Sequence, residues 1–570
     1  MKRTKGHPFE KWANWIVLLL VAVILFALVK LAYYTPVAAK KAPVSLALHY
    51  IPYYAWRSII RMFLAYILSI VFSLIYGYAA ARSKVAEKIM LPILDVLQSV
   101  PILSFLPVIV LSLTAFIPVG VAVEIASVLL IFTSQAWNLT FSWYQSMTTI
   151  PKELREASKI FTLNSWLQFK KLELPFGFVS LIWNSIMSWA GGWFFLIAAE
   201  IFTVGQKQFQ LVGLGSYLQE AASQGNLVAL FTGVGVLIVI IILLDQFIWR
   251  PLLAWAQKFN LEMVSSTDNE ATSWFYPVLR QSSFILKFEK NILTPIVGVL
   301  DKFFNKMASG KKVQPIVEED TKLNLKTYIV IGSIFLLFLL FGAQRMVAYL
   351  SHISLHNYLR ILESAGATLL RVFVSLAISL LWTIPVGVLI GSNKRAATVL
   401  QPLVQIAASV PATALFPILV FYLLSIPFGL NIAAIVLMVL GTQWYLLFNV
   451  IAGVVTIPQD LRYTASLMRL KKWNYWKTLI LPALFPFIIT GAITASGGAW
   501  NASVIAEYVS FHGKNYSTVG LGSLIAESTG NGDYAMLLAS TLTMIIIVTL
   551  INRFGWRRLY AIAKEKYKME

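Results

Sequence analysis

The sequence predicts an all-α polytopic membrane protein with twelve transmembrane helices, arranged as two parallel six-helix repeats. Three observations predict it. Of 570 residues, 58% are hydrophobic and only 12% charged, and no soluble fold could bury the apolar runs this creates. Twelve such runs stand at roughly 13–34, 57–80, 89–112, 117–142, 179–204, 227–249, 326–350, 367–391, 399–424, 430–453, 485–509 and 535–553. Each is long enough to cross about 30 Å of hydrocarbon as a helix, the form that satisfies its own backbone there. The last six runs repeat the first six.

The first run follows a basic stretch, Met1 to Lys11, and precedes Val37-Ala38-Ala39, so it has the outline of a secretory signal. Its apolar core is too long for one, and 326–350 occupies the same place in the second half; it is expected to be a retained helix. From there the repeat is read residue against residue. At an offset of 310, Arg61 matches Arg371, Gly77 matches Gly387 and Ser99-Val100-Pro101 matches Ser409-Val410-Pro411. Three residues are lost near 113–120, and the offset becomes 307. Trp193 then pairs with Trp500, Ala199-Glu200 with Ala506-Glu507, and Gly213-Leu214-Gly215-Ser216 with Gly520-Leu521-Gly522-Ser523. An even number of helices per unit gives both units one orientation. The expected division is residues 1–255, a linker over 256–325, and residues 326–570.

Charge distribution sets the orientation. The formal charge is +21, and with the N-terminus inside, nearly all Lys and Arg fall on cytoplasmic segments, leaving a few such as Lys40, Lys41, Lys207 and Lys514 outside. Both termini are then cytoplasmic, and the basic balance needs no nucleic acid to explain it. In the linker, Ile292, Ile296, Val299, Leu300, Phe303 and Met307 recur at near-helical spacing among lysines, which suits an amphipathic helix at the membrane surface.

Catalytic chemistry finds little support. The chain has no cysteine, which excludes thiolate metal sites and disulfides. His352 and His356 lie four apart, but as an interfacial pair rather than a metal cage. No phosphate-cradling Gly-x-x-x-x-Gly-Lys-Ser/Thr occurs, since Gly310-Lys311-Lys312 fails the spacing. The expectation is no enzyme, no metal and no cofactor in this chain.

Two charged interruptions repeat most faithfully, at about 146–178 and 453–484. Each opens on Ile-Pro (Pro151; Pro458) and has an arginine four residues on (Arg155; Arg462). Each reaches a tryptophan (Trp166; Trp473) and closes on Leu-x-Leu-Pro at Pro175 and Pro482. With Glu156-Ala157-Ser158 in one copy and Tyr463-Thr464-Ala465 in the other, they resemble the cytoplasmic EAA loop of binding-protein-dependent ABC importer permeases. The glycine of that pattern is Thr162 here in the first copy and Arg469 in the second. Arg61, Gly77, the Ser-Val-Pro, the Trp193-to-Glu200 stretch and the Gly-Leu-Gly resemble the nitrate/sulfonate/taurine branch over about 55–250 and 365–558. The resemblance implies two cytoplasmic ATPase chains that bind ATP and magnesium, and an extracytoplasmic solute-binding protein. It also implies that a short helix after Pro151 or Pro458 seats in each ATPase.

The pathway is expected between the halves near the midplane. Prolines 92, 101 and 107, and 402, 411 and 417, break the third segments, and such breaks are tolerated only in protein or beside water. Gln98, Ser99, Ser104, Ser409 and Thr413 cluster there, with Ser188, Trp193, Ser496, Trp500 and Asn501 on the fifth segments. Glu200 and Glu507 sit near the outer ends, as pathway residues or as carboxylates bonded to local backbone. Phe194 matches Asn501, so hydrogen-bonding groups come mainly from the second half. The resemblance implies a small and often anionic cargo of the nitrate, sulfonate or bicarbonate kind; few cations line these runs, so an anion would be held by helix ends, amides and hydroxyls. Two rivals remain: a secondary transporter with an internal repeat, and a non-transporting scaffold for an ATPase.

Overall fold

Long apolar segments have little choice but helix, and the computed structural model shows how far each one runs. It describes residues 44–99, 106–114, 116–204, 207–259, 273–282, 294–308, 325–470, 472–511 and 514–566, with helical positions between 16 and 30 and a few isolated residues besides. The first half contains α1 (Ile51–Arg82), α2 (Lys84–Ser99), α3 (Leu106–Thr114), α4 (Val119–Thr149), α5 (Lys152–Ile160) and α6 (Ser165–Ala199). A hairpin of β1 (Ile201–Val204) and β2 (Lys207–Gln210) follows, then α7 (Leu214–Ser223) and α8 (Leu227–Ala256). The linker holds α9 (Phe275–Gln281) and α10 (Thr294–Ala308). The second half repeats the order as α11 (Leu325–Leu350), α12 (Leu355–Ser392), α13 (Lys394–Ser409), α14 (Ala412–Leu423), α15 (Gly429–Val455), α16 (Gln459–Leu467) and α17 (Trp473–Ala506). It ends with β3 (Tyr508–Phe511), β4 (Lys514–Ser517), α18 (Leu521–Asn531) and α19 (Tyr534–Ala563).

Among the described residues, eight helices are long and apolar enough to cross a membrane, or nine if one bent pair counts as a single span. The eight are α1, α4, α6, α8 and their counterparts α12, α15, α17 and α19. The described residues thus account for eight or nine of the twelve expected spans. The third segment of the second half bends by 81° between α13 and α14, where Val410-Pro411 removes a backbone donor and pushes the preceding residue out of the helical region. In the first half the same segment is two separate helices, α2 and α3. Of the run at 13–34, the described positions between 16 and 30 are helical and the others lie outside the described residues.

The fifth segments also end sooner than expected, at Ala199 and Ala506 rather than 204 and 509. The residues beyond form antiparallel hairpins, with Ile201 opposite Gln210 and Tyr508 opposite Ser517, so the fold is not wholly helical. Ile-Phe-Thr-Val and Tyr-Val-Ser-Phe are β-branched and aromatic tetrapeptides, apolar enough to read as membrane yet suited to a strand.

Each half is built around its fourth-segment helix. α4 packs between α1 and α6, and α15 packs between α12 and α17. The halves join reciprocally: α8 lies on α13 and α14, while α19 lies on α2. Four wide π turns interrupt the long helices at matched places, Phe169–Glu173 and Trp476–Ile480 early in α6 and α17, and Asp245–Trp249 and Ile551–Trp556 late in α8 and α19. Such turns are rare and gather at functional places.

Candidate functional site: two arginine-anchored short helices and the cavity between the halves

α5 and α16 are each nine residues long, begun by Pro151 and Pro458. Arg155 donates to the carbonyl of Met147, and Arg462 Nη2 donates to that of Val454 at 2.7 Å. These are last-turn carbonyls of α4 and α15, which have no intrahelical partner. The arginine thus fixes each short helix to the long one before it. Ser158 and Ala465 face inward, Ala157 is half-buried, and Glu156, Tyr463 and Thr464 face out. The tips carry bare apolar side chains, Phe161 at 73% exposure and Leu467 at 82%.

Thr162 and Arg469 end these helices in the left-handed conformation, with φ of 51° and 53°. Leu163 N–H returns to Ser158 O at 3.1 Å, and Leu470 N–H to Ala465 O at 3.0 Å, the Schellman closure that normally recruits glycine. Thr162 and Arg469 thus take this left-handed position where the pattern of the resemblance has glycine.

Around this shared frame the copies differ. In the first, Arg82 Nη2 pairs with the buried Glu173 at 2.9 Å; the second has Ser392 and Ile480 in those places. The linker helix α10 also docks on the first copy. Asp301 accepts from Trp166 Nε1 at 2.9 Å and pairs with Lys170, Asn164 Nδ2 donates to Asn305 Oδ1 at 3.0 Å, and Phe304 stacks on Trp166 at 4.5 Å. The Lys170 and Trp166 hydrogen bonds hold the Asp301 carboxyl below its ordinary pKa of 3.8. The second-copy counterpart, Trp473, is 67% exposed.

Between the halves lies a cavity of about 100 Å3, walled by α6 on one side and by α13 to α15 and α17 on the other. Asn501 lines it, and the Val410-Pro411 bend forms part of its wall. Thr413 Oγ1 crosses the interface to donate to Phe194 O at 3.3 Å. Ser409 is half-buried beside the bend and donates to Gln405 O at 2.8 Å. Ser188, Trp193, Ser496 and Trp500 are buried and do not appear in the cavity wall. Gln98 is half-buried on α2; the Ser99 side chain and Ser104 lie outside the described residues. The aromatic residues Trp444 and Tyr445, which line the cavity, were not singled out from sequence, because they sit on the plainest part of an apolar run.

At the hairpin ends, Glu200 and Glu507 are fully buried and stand outside the cavity wall. Glu200 pairs with Arg61 at 2.8 Å and accepts from Ser58 Oγ and Gly215 N. Glu507 pairs with Arg371 at 2.7 Å and accepts from Thr368 Oγ1 and Gly522 N. A Cβ on Gly213 or on Gly520 would stand 2.1 Å from the carboxylate. The Gly-Leu-Gly-Ser turn is therefore built around that carboxylate, and only glycine permits the approach. Burial this deep is tolerated because every charge finds a partner. Both carboxylates thus hold the hairpin and the following helix onto α1 and α12. Glu124 and Arg57 extend the first cluster at 2.6 Å, and the second half has Asn431 and Ala367 in their places.

Two stretches, 69–248 and 383–556, match the model of the binding-protein-dependent transport system inner membrane component family. The chain is 31% identical over 189 residues to the bicarbonate transport system permease protein CmpB of Synechococcus elongatus, covering 33% of this chain and 64% of that protein. It is 30% identical over 188 residues to the nitrate import permease protein NrtB of Leptolyngbya laminosa, covering 33% and 63%. It is 27% identical over 199 residues to the taurine transport system permease protein TauC of Escherichia coli, covering 35% and 68%. The match to the first two thus spans less than two thirds of their length. Arginine-anchored short helices, capped alike and repeated at one spacing, belong with those two matches: the chain is a member of the binding-protein-dependent transport system inner membrane component family and carries two copies of that domain in one polypeptide.

Proposed function

We propose that this chain is the transmembrane permease of an ATP-driven importer, conveying a small solute along the interface between its halves. The observation that carries the reading is the pair α5 and α16. Each is a short helix with an apolar tip, bound by one arginine to the long helix before it, α4 or α15. Two cytoplasmic ATPase subunits would seat these helices, ATP and magnesium being held by those partners. A solute-binding protein would deliver cargo at the hairpin end, and both termini would lie in the cytoplasm. Closure of the ATPases then moves α5 and α16, and with them the two halves; each nucleotide state must favour one arrangement for this to do work. The relatives are named for bicarbonate, nitrate and taurine, which favours a small cargo and often an anionic one. Glu200 and Glu507 support an importer over a secondary transporter, since ion coupling needs a carboxylate that can exchange partners and these two are fully engaged.

The test is reconstitution in vesicles with the cognate ATPase and binding protein. Phe161→Asp combined with Leu467→Asp should abolish the stimulation of ATP turnover by loaded binding protein, while the chain remains membrane-inserted. Uptake by vesicles that contain the chain alone, without ATPase or ATP, would overturn the reading.

A further inference from the structure

The cavity between the halves says something about what passes through it, and this rests on the pathway reading above. Among its described lining residues none is charged, and five are aromatic, Trp444 and Tyr445 among them. Glycines at 191, 441 and 498 make the room. The one amide, Asn501, donates an N–H to Gly497 O at 3.1 Å. A bare inorganic anion entering here would give up its hydration for aromatic faces, which carry negative potential, with no cation to compensate.

Size narrows the choice. At about 10–15 Å3 for each water-sized centre, the cavity of about 100 Å3 has room for roughly seven to ten atoms. Its polarity is one-sided, because Asn501 in the second half is matched by Phe194 in the first. The geometry points to a cargo that crosses this point uncharged and flat: a small heteroaromatic or amide-bearing ring with one polar edge. The ring faces meet the aromatic walls, and the polar edge meets Asn501 and the Tyr445 hydroxyl. The structure thereby narrows the anion expected from sequence to a different chemical class.

The experiment uses the full chain in lipid nanodiscs, with nicotinamide as the uncharged planar probe and nitrate, bicarbonate and taurine beside it, binding being read by calorimetry. Two variants accompany the native chain. In Gly441→Leu, the new Cβ first meets Phe194 at an ordinary 3.9 Å, so the backbone is undisturbed while the side chain fills the cavity. Asn501→Leu keeps the shape and removes the amide. The expected result is saturable nicotinamide binding at least about tenfold tighter than that of any of the three anions or zwitterions, and weakened about tenfold or more by each substitution. If nitrate, bicarbonate or taurine binds as tightly as nicotinamide and Gly441→Leu removes it, the cargo class is wrong and the pathway stands. If no probe binds, or binding ignores both substitutions, the cavity is not on the route, and this inference falls together with the pathway placed there. Unchanged melting temperatures of the variants exclude misfolding as the cause of a loss.

Discussion

Arg61 sits between two carboxylates, Glu200 and Glu124, whereas its counterpart Arg371 sits between Glu507 and the Asn431 amide. The remaining partner changes too, Arg57 in the first half standing where the second has Ala367. Charge is thereby conserved within each cluster: two positive and two negative groups on one side, one of each on the other. A buried guanidinium tolerates either an anion or an amide at its second edge, provided the local sum is zero. Toward the basic end the halves differ in another way. There the first half adds an ion pair, Arg82 with Glu173, and an in-chain cover, α10, that the second lacks. The hairpin ends are two solutions to one structural problem, while the segments around α5 and α16 present two different surfaces.

The sharpest way to break that comparison is to remove each arginine. Arg61→Leu should destabilise the protein by about 3–5 kcal/mol, the usual loss when a buried pair is left half-made. Arg371→Leu should cost about as much, because each loss orphans one carboxylate: Glu124 keeps Arg57, while Glu200 and Glu507 each keep one hydroxyl and one backbone N–H. Unfolding in detergent measures both. If the charge-sum argument is right, the double change Arg57→Ala with Glu124→Asn, which writes the second-half chemistry into the first, shifts stability by only about 1 kcal/mol or less.

A smaller effect tests the cover. Asp301→Ala should release α10, so that quenching of Trp166 fluorescence rises toward that of Trp473, with little change in melting. The pH dependence has a definite sign. Because the Asp301 carboxyl is held below its ordinary value of 3.8, its contribution is complete above that value and is lost only as pH falls through the lowered one. Quenching of Trp166 should therefore stay flat through neutral and mildly acidic pH and rise only below the ordinary aspartate range. Trp473 should show no such step.

Smallest is the change at the two left-handed residues. Thr162→Gly should stabilise by up to about 1 kcal/mol, the strain of a β-branched residue at positive φ offset in part by glycine's looser unfolded chain. Arg469→Gly should gain less, since Arg is unbranched. A loss of stability at either would show that these side chains hold the turn themselves.

Much of this was legible in the sequence because the chain is written twice. Matching the copies located α5 and α16, their arginines, the proline breaks and the Gly-Leu-Gly turns without a single contact being known. The hairpins were hidden because a strand of Ile, Phe, Thr and Val is as apolar as the helix it follows. Features present in only one copy were hidden for the opposite reason. Arg82 and Glu173 lie 91 residues apart with no echo in the second half, and neither the contacts of α10 nor the cavity's aromatic wall leaves any periodic trace. The left-handed turns at Thr162 and Arg469 fall at the position of the absent glycine, but Thr and Arg themselves give no sign of one.

The wide turns at Phe169–Glu173 and Trp476–Ile480 have a mechanical consequence. Each stores one surplus residue within an otherwise regular helix. If the surplus were squeezed out, everything on one side would screw past the other by roughly 1.5 Å and 100°. Such a slip joint lies in each half between the short helix, α5 or α16, and the long apolar part of α6 or α17. A push at the base can therefore arrive at the top as rotation, with no hydrogen-bonded strand of the fold having to break.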